Sequence, residues 1–444
     1  MPKITNTVTG RHFIASPDVD LVTAALRCKE PIGYSCRQGI CGSCSALIQS
    51  GTYSQLGSAD RLTVFPGEAA HKVQLCKTIA HTDIVLEHTL VHESDRHAAV
   101  IDSIESLSDD IARVTLRFIT AESFDYKPGQ FIAIRWLGSK LKYFSIASAP
   151  NRDNTLELHV RKQADGGGFT KWLFDSATTS DVLGIEGPMG SFGWTSSPNR
   201  PVILLATGTG FSPVKALIEG YQLWNHQAGA SFYWGGRLEA DLYENAHAQY
   251  WTTRGAQLAY EPILSREADT WHGRTGRVPA AVLQDHPDLS GFDVYACGSP
   301  EMIAQAKRLF VKEGGLPEDR FFADVFESLE RTPTLPVVSF NIEFLESPLQ
   351  GRVYTEVGVS LLEALRNNGL NLDHYCGGGA VCATCRINVD STGQEPPEEE
   401  EADLLDCLED LLNGDRLACQ LTVTEAMANA RIKLPGSPKN ISRL

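Results

Sequence analysis

The placement of the cysteines constrains this chain more than any other feature. Eleven cysteines occur in 444 residues: five lie before residue 80, one is Cys297, and five lie after residue 370. The number is odd, the residues are gathered at the two ends, and the opening segment MPKITNTVTGRHF has no apolar stretch of a secretory leader. That combination points to metal ligation rather than disulfides, and to a cytoplasmic protein. The two ends also read as an internal repeat. Ala25-Leu26-Arg27 precedes a glycine-bearing loop with Cys36, Cys41 and Cys44, then the apolar run Ala46-Leu47-Ile48 and a distant Cys76. Ala364-Leu365-Arg366 precedes Cys376, Cys382 and Cys385, then the alternating Ile387 and Val389 and a distant Cys419. Each copy predicts a helix, a loop and a strand.

The spacing narrows the metal. Cys36-x4-Cys41-x2-Cys44 is followed after 31 residues by Cys76, the plant-type [2Fe–2S] arrangement. Three thiolates reach one iron pair from a single tight loop, and Gly39 and Gly42 let the backbone curl around the inorganic sulfides. A structural zinc site takes paired Cys-x2-Cys knuckles, which this loop does not offer. The second set, Cys376-x5-Cys382-x2-Cys385 and then 33 residues to Cys419, has one more residue in its first gap and a Gly377-Gly378-Gly379 wrap. It predicts a second [2Fe–2S] cluster. Cys28 and Cys407 fall in helical patterns and read as small buried side chains.

Between the ends, residues 98–196 show short alternating strands such as Phe131–Ile134 and Leu156–Val160 with Pro and Gly turns, predicting a small antiparallel barrel. Residues 197–326 change to apolar strands such as Val202–Leu205 and Phe292–Ala296 alternating with helical stretches, predicting a parallel α/β sheet. Polar segments at His88–His97 and Glu327–Pro336 read as linkers.

These motifs, in this order, resemble known families. Residues 1–90 resemble the plant-type ferredoxin domain fused to reductases of ring-hydroxylating dioxygenases. Residues 337–444 resemble the adrenodoxin-like branch with the longer first gap, including Asp415-Arg416-Leu417-Ala418-Cys419-Gln420. Residues 98–326 resemble the ferredoxin–NAD(P) reductase superfamily, oxygenase-reductase type. The resemblance implies a multidomain α/β and α+β chain: a β-grasp ferredoxin domain, an antiparallel β-barrel flavin domain, a parallel α/β nucleotide domain and a second β-grasp ferredoxin domain. It also implies FAD (FMN as the alternative) and NADH (NADPH as the alternative). A hydride would pass from nicotinamide to flavin, and single electrons onward through the clusters.

The same resemblance assigns residues. Lys142-Tyr143-Phe144-Ser145 stands where the family has Arg-x-Tyr-Ser. Lys142 is implied to hold flavin phosphate, Phe144 to stack on the ring, and Ser145 to stand near flavin N5. A lysine there lacks the bidentate fork of arginine. His159 and Val160 on the following strand, Gly167, Gly168, Phe169 and Thr170 at a helix start, and Phe326 are implied flavin contacts. Thr207-Gly208-Thr209-Gly210 with Pro213 forms the implied nucleotide loop. Gly236 and Arg237, with Asp241-Leu242-Tyr243, resemble NADH users, whereas Ser265-Arg266 resembles the 2′-phosphate pair of NADPH users; NADH is favoured. Cys297, Gly298 and Met302 match the turn beside the nicotinamide. Ser145 and Cys297 are thus the expected catalytic pair, Cys297 being neither metal ligand nor nucleophile.

Charge and remaining motifs limit the alternatives. Lys and Arg number 39 against 55 Asp and Glu, a net charge of −16, which disfavours nucleic acid and favours a basic partner face. No stretch nears the ~20 apolar residues of a membrane span. The expected partner is a terminal oxygenase, a Rieske non-haem iron enzyme first and a cytochrome P450 second, docking at the acidic run Glu398–Glu401, Asp403, Asp406, Glu409 and Asp410. The first cluster is expected to be the internal relay and the second domain a tethered carrier, at an effective concentration of ~mM. A redox-sensing flavin and iron–sulfur protein is the alternative of a different class.

Overall fold

The computed structural model describes residues 1–435 apart from 9, 29–31, 33–43, 57, 59, 89–95, 120–122, 138–139, 163–167, 191, 267–270, 326–335, 346, 371, 375–379, 381, 391–395 and 409–410. Cys36, Cys41, Cys376, Gly167 and Phe326 therefore lie outside the described residues.

Four sheets form in chain order. The first is mixed. Lys3–Asn6 runs parallel to Ile84–Glu87, which pairs antiparallel with the long strand Ser45–Gln55. The helix Leu21–Arg27 covers it, and its apolar core is built from residues 4–86.

The second sheet has six antiparallel strands. Its edge strands, Lys140–Ser145 and Thr155–Arg161, meet through a bridge between Ile146 and Leu158, which closes a barrel. The strand Ile111–Phe118 alternates buried and half-buried residues, as a strand with one face in a barrel interior should. The third sheet has six parallel strands, ordered Arg274–Thr275, Leu258–Leu264, Ala230–Gly236, Val202–Thr207, Asp293–Gly298, Phe321–Val325. Its central strand Val-Ile-Leu-Leu-Ala is buried on both faces because helices cover both sides.

The fourth sheet has five strands. Val337–Phe344 pairs antiparallel with Ser347–Glu356 and parallel with Arg431–Leu434. Its core includes four barrel residues, Ala98, Val100, Ile119 and Val182. Along the barrel strand Arg96–Ser106, Ala99 and Ile101 point into the barrel while Ala98 and Val100 point out into this second core. The expected helix and following strand appear at both ends, Leu21–Arg27 with Ser45–Gln55 and Leu361–Asn367 with Arg386–Asp390. Cys28 and Cys407 differ from expectation: both follow the last residue of a short helix and are exposed. No helix of the described residues is long and apolar enough to cross a membrane.

Candidate functional site

The barrel and the parallel sheet meet at one carboxylate. Ser145 ends a barrel strand, and its hydroxyl donates to Asp324 Oδ2 at 2.8 Å, both residues being buried. Asp324 lies beside Cys297 in the parallel register. Cys297 has no exposed surface, and its thiol is held well above its ordinary pKa, first by burial and then by the charge of Asp324. It therefore stays a thiol and is no nucleophile. Lys142, Tyr143 and Phe144 are half-buried on the same strand. Tyr143 sits edge-on to Phe131 at 5.9 Å, and Phe144 lies 5.5 Å from Phe169. Phe169 and Thr170 fall in the first turn of the helix Gly168–Asp175. The strand that carries Lys142 thus meets the first turn of this helix through Phe144 and Phe169.

The nucleotide loop is pressed against the turn after Cys297. Gly208–Gly210 joins Val202–Thr207 to the helix Phe211–Gly220, in which Pro213 is buried. Gly298 has φ +150°, and a Cβ there would stand 2.1 Å from Thr207 Oγ1, so only glycine fits. Ser299 caps the helix Pro300–Lys312, its hydroxyl accepting from Met302 N at 3.3 Å. Arg161 of the barrel reaches over the loop, and a Cβ on Gly208 would be 3.8 Å from its Nη2. Its Nε and Nη2 are shielded and make no hydrogen bond, with Asp110 and Asp241 at 3.5 Å. A guanidinium above a glycine loop, held by two carboxylates at ion-pair distance and by no close hydrogen bond at these atoms, fits a diphosphate.

Farther along, Asp241 Oδ2 accepts from the N–H groups of Arg237 and Leu238, at 2.8 and 3.1 Å. Arg266 N donates to Arg237 O at 3.1 Å, and Ser265 Oγ to Gly236 O at 3.3 Å. Arg237, Ser265 and Arg266 are exposed in this corner. Asp241 and Arg237 of the NADH cue and Arg266 of the NADPH cue thus share one place.

The His159 side chain has no exposed surface, so any contact it offers a cofactor is through its main chain. Burial lowers its pKa, which leaves the ring neutral; Nε2–H donates to Glu157 Oε1 at 2.6 Å and Nδ1 accepts from Tyr243 at 3.0 Å. Val160, beside it, is buried in the barrel core. Glu157 also faces Arg113 and the buried Lys215, whose Nζ donates to Ala147 O at 3.1 Å and Glu219 at 3.0 Å. This network locks barrel to sheet behind the Ser145–Asp324 contact.

The cysteines converge as far as they are described. Cys385 is buried, and burial together with Cys419 and Cys382 pushes its thiol up to about 12. Cys382 and Cys419 thus both lie near the Cys385 thiol, although among the described residues no three side chains are grouped closely enough to form a metal site. Thr384 Oγ1 lies 3.0 Å from Cys382 Sγ, and Gln420 Nε2 lies 3.3 Å from Cys419 Sγ. At the other end Cys44 and Cys76 are buried, Leu75 N donates to Cys44 O at 2.9 Å, and the Gln74 amide lies 3.4 Å from Cys44 Sγ. Such neighbours tune a cluster once it is bound.

Known proteins share this arrangement. Residues 98–194 match the oxidoreductase FAD-binding domain, residues 204–308 the oxidoreductase NAD-binding domain, and residues 5–81 and 349–424 the 2Fe-2S iron-sulfur cluster binding domain. The CDP-6-deoxy-L-threo-D-glycero-4-hexulose-3-dehydrase reductase of Yersinia pestis is 36% identical over 324 residues, covering 72% of this chain and 96% of its own. The chain belongs to the FAD- and NAD-binding iron–sulfur reductases. This reductase is also 29% identical to terephthalate 1,2-dioxygenase reductase component 1 of a Comamonas species, over 71% of its length and 94% of the relative. A cytochrome P450 reductase of Amycolatopsis superposes with TM-score 0.54 at 25% identity, over 73% of this chain and 99% of that one. The reductase thus transfers electrons from NAD(P)H, using FAD and [2Fe–2S] chemistry.

Two residues of the reductase's site carry little local sequence signal. Asp324 is 179 positions from Ser145 and is the next-to-last residue of the strand Phe321–Val325. Arg161 directly follows the expected His159-Val160 pair, and strand alternation with a basic tip was its only cue. Among the expected acidic surface residues, Glu401 is buried instead, paired in bidentate fashion with Arg416 at 3.0 and 2.9 Å.

Proposed function

We propose that this reductase takes hydride from NADH where barrel and parallel sheet meet, and feeds single electrons through two [2Fe–2S] clusters to a terminal oxygenase of the Rieske non-haem iron type. The Ser145–Asp324 contact carries this reading, because it brings the expected flavin strand and the expected nicotinamide turn to one carboxylate. When bound, the cofactors convert a two-electron donor into single electrons, since each cluster accepts only one. The chain's residues position and shield. Lys142, Gly168 and Thr170 are assigned to flavin phosphate, and Thr207–Gly210 with Arg161 to the nucleotide diphosphate. Arg237, Ser265 and Arg266 are assigned to the adenosine end. Ser145 and Cys297 are assigned to the place where the two rings meet, where Asp324 fixes the Ser145 hydroxyl, and burial together with the Asp324 charge keeps Cys297 protonated. Cys36, Cys41, Cys44 and Cys76 hold one cluster, and Cys376, Cys382, Cys385 and Cys419 the other. The reductase is placed in the cytoplasm, in keeping with its cysteine usage.

The names of the dioxygenase reductases support the oxygenase partner. A second reading is favoured by the 36% relative, named as reductase of a hexulose dehydrase: the electron acceptor is then a dehydrase. The P450 reductase of similar fold keeps a cytochrome P450 as a third.

Anaerobic titration with NADH and then NADPH, followed by optical and EPR spectra, tests the core of the proposal. Flavin bleaching with two rhombic signals, each near one spin per chain, is expected. A single signal after dithionite would remove the second cluster, and no bleaching with either nucleotide would return the sensor reading. Coupled turnover with a purified oxygenase or dehydrase separates the partner readings.

A further inference from the structure

The C-terminal sheet does not hang from the chain; it lies on the barrel. The run Ala98-Ala99-Val100-Ile101 is buried on both faces, at 0–4% exposure. A barrel strand with a wet outer face alternates apolar and polar residues. Here the outward Ala98 and Val100, with Val182 and Ile119, complete the core of the C-terminal unit. The approach is too close for side chains at three places: a Cβ on Gly351 would stand 2.3 Å from Val182 Cγ2, one on Gly369 2.2 Å from His97 O, and one on Gly184 2.2 Å from Asn367 O. The backbones also pair, Arg352 N donating to Ser180 O at 3.1 Å beside an Asp181–Arg352 bridge. Asp181 has no exposed surface, and the Arg352 guanidinium, Nε 3.9 Å from Oδ1, comes from the other unit. Trp172 of the barrel helix meets Tyr354 ring to ring at 5.0 Å.

We infer that the C-terminal iron–sulfur domain is a fixed part of the reductase body, docked on the flavin barrel as a stationary electron outlet, and is no swinging carrier. A carrier that leaves would bare four apolar barrel residues and strip the buried Asp181 of its opposing charge. The docked face uses Ser347–Glu356 and the end of Leu361–Asn367. Glu398, Glu399, Asp403 and Asp406 stay exposed on another side, with Leu411 and Leu412 next to them. A basic partner reaches this face without the domain letting go. The outlet role rests on the second cluster proposed above; the docking does not.

The test is to place a protease site within residues 327–336 of the full chain, cut the folded holoprotein, and run it on a sizing column. Co-elution of the C-terminal fragment with the flavin-bearing body in one peak is expected. Separation into two peaks would overturn the inference. Arg352→Glu, which sets a second carboxylate against Asp181, is expected to give two peaks, with the released fragment keeping its visible iron–sulfur absorption as a sign that it is folded. Retention of that variant in one peak would overturn the assignment of this face. None of these readings depends on NAD(P)H oxidation, so a failure of the reductase chemistry would be seen separately.

Discussion

At the scale of single residues, the site depends on groups that one carboxylate and one guanidinium bring together. Asp324→Asn and Ser145→Ala should each slow flavin bleaching by NADH about 10- to 100-fold, the cost of a small misplacement of reacting groups. Stopped-flow single turnover should show this with nucleotide affinity unchanged. Arg161→Ala should instead raise the nucleotide Kd about tenfold or more, since charge-assisted hydrogen bonds contribute roughly 1.5–3 kcal/mol; a binding titration against NAD+ checks it. The two iron–sulfur domains were legible because cysteine spacing in a loop is a local property. Asp324 and Arg161 were not, because each acts on a segment far away in sequence. The surroundings of the His159 ring were equally hidden, since one of its partners, Tyr243, lies 84 positions away.

Among elements, the junction of barrel and parallel sheet is held by buried charge. Burial alone would raise the Glu157 pKa, but the hydrogen bond from His159 and the charges of Lys215 and Arg113 draw it down to about 2 from 4.5. A carboxyl depressed this far favours the folded state by about 3 kcal/mol at most. That contribution is present above pH ~4.5 and is lost as pH falls toward ~2. Buried neutral His159 adds to the same trend, because the unfolded chain takes up its proton more readily below pH ~6.5. Thermal melts between pH 7 and 3 should show this loss, and Glu157→Gln should flatten the acid limb while lowering stability at neutral pH by about 3 kcal/mol. The elements themselves were largely legible. Val202–Leu205 is apolar throughout, as a central parallel strand must be, and Leu156–Val160 alternates as a barrel strand should. The run Ala98–Ile101 carried a further signal, since four consecutive apolar residues on a barrel strand mean that its outer face is covered.

Over the whole molecule, charge and docking set how electrons leave. With −16 overall and an exposed acidic helix beside Leu411 and Leu412, reduction of a basic partner should slow several-fold between low salt and 0.2 M, where the screening length falls below ~10 Å. Reduction of a small dye should not change. Reversing Asp403 and Asp406 to Lys should lower the partner rate and leave dye reduction intact. Glu401 is the wrong residue for that experiment, because its carboxylate holds Arg416 and its loss should unfold the helix.

The closed core of residues 4–86 has an engineering consequence. A segment that completes its own interior behaves as a cassette: it can be exchanged for another ferredoxin at residues 89–95, and the new chimera should still fold. The C-terminal segment has no such freedom. A graft there would have to arrive with residues that mate with Val100 and Val182, or the recipient barrel would need new polar residues at both positions. Recombination between such reductases should therefore swap front ends freely and inherit back ends together with their barrels.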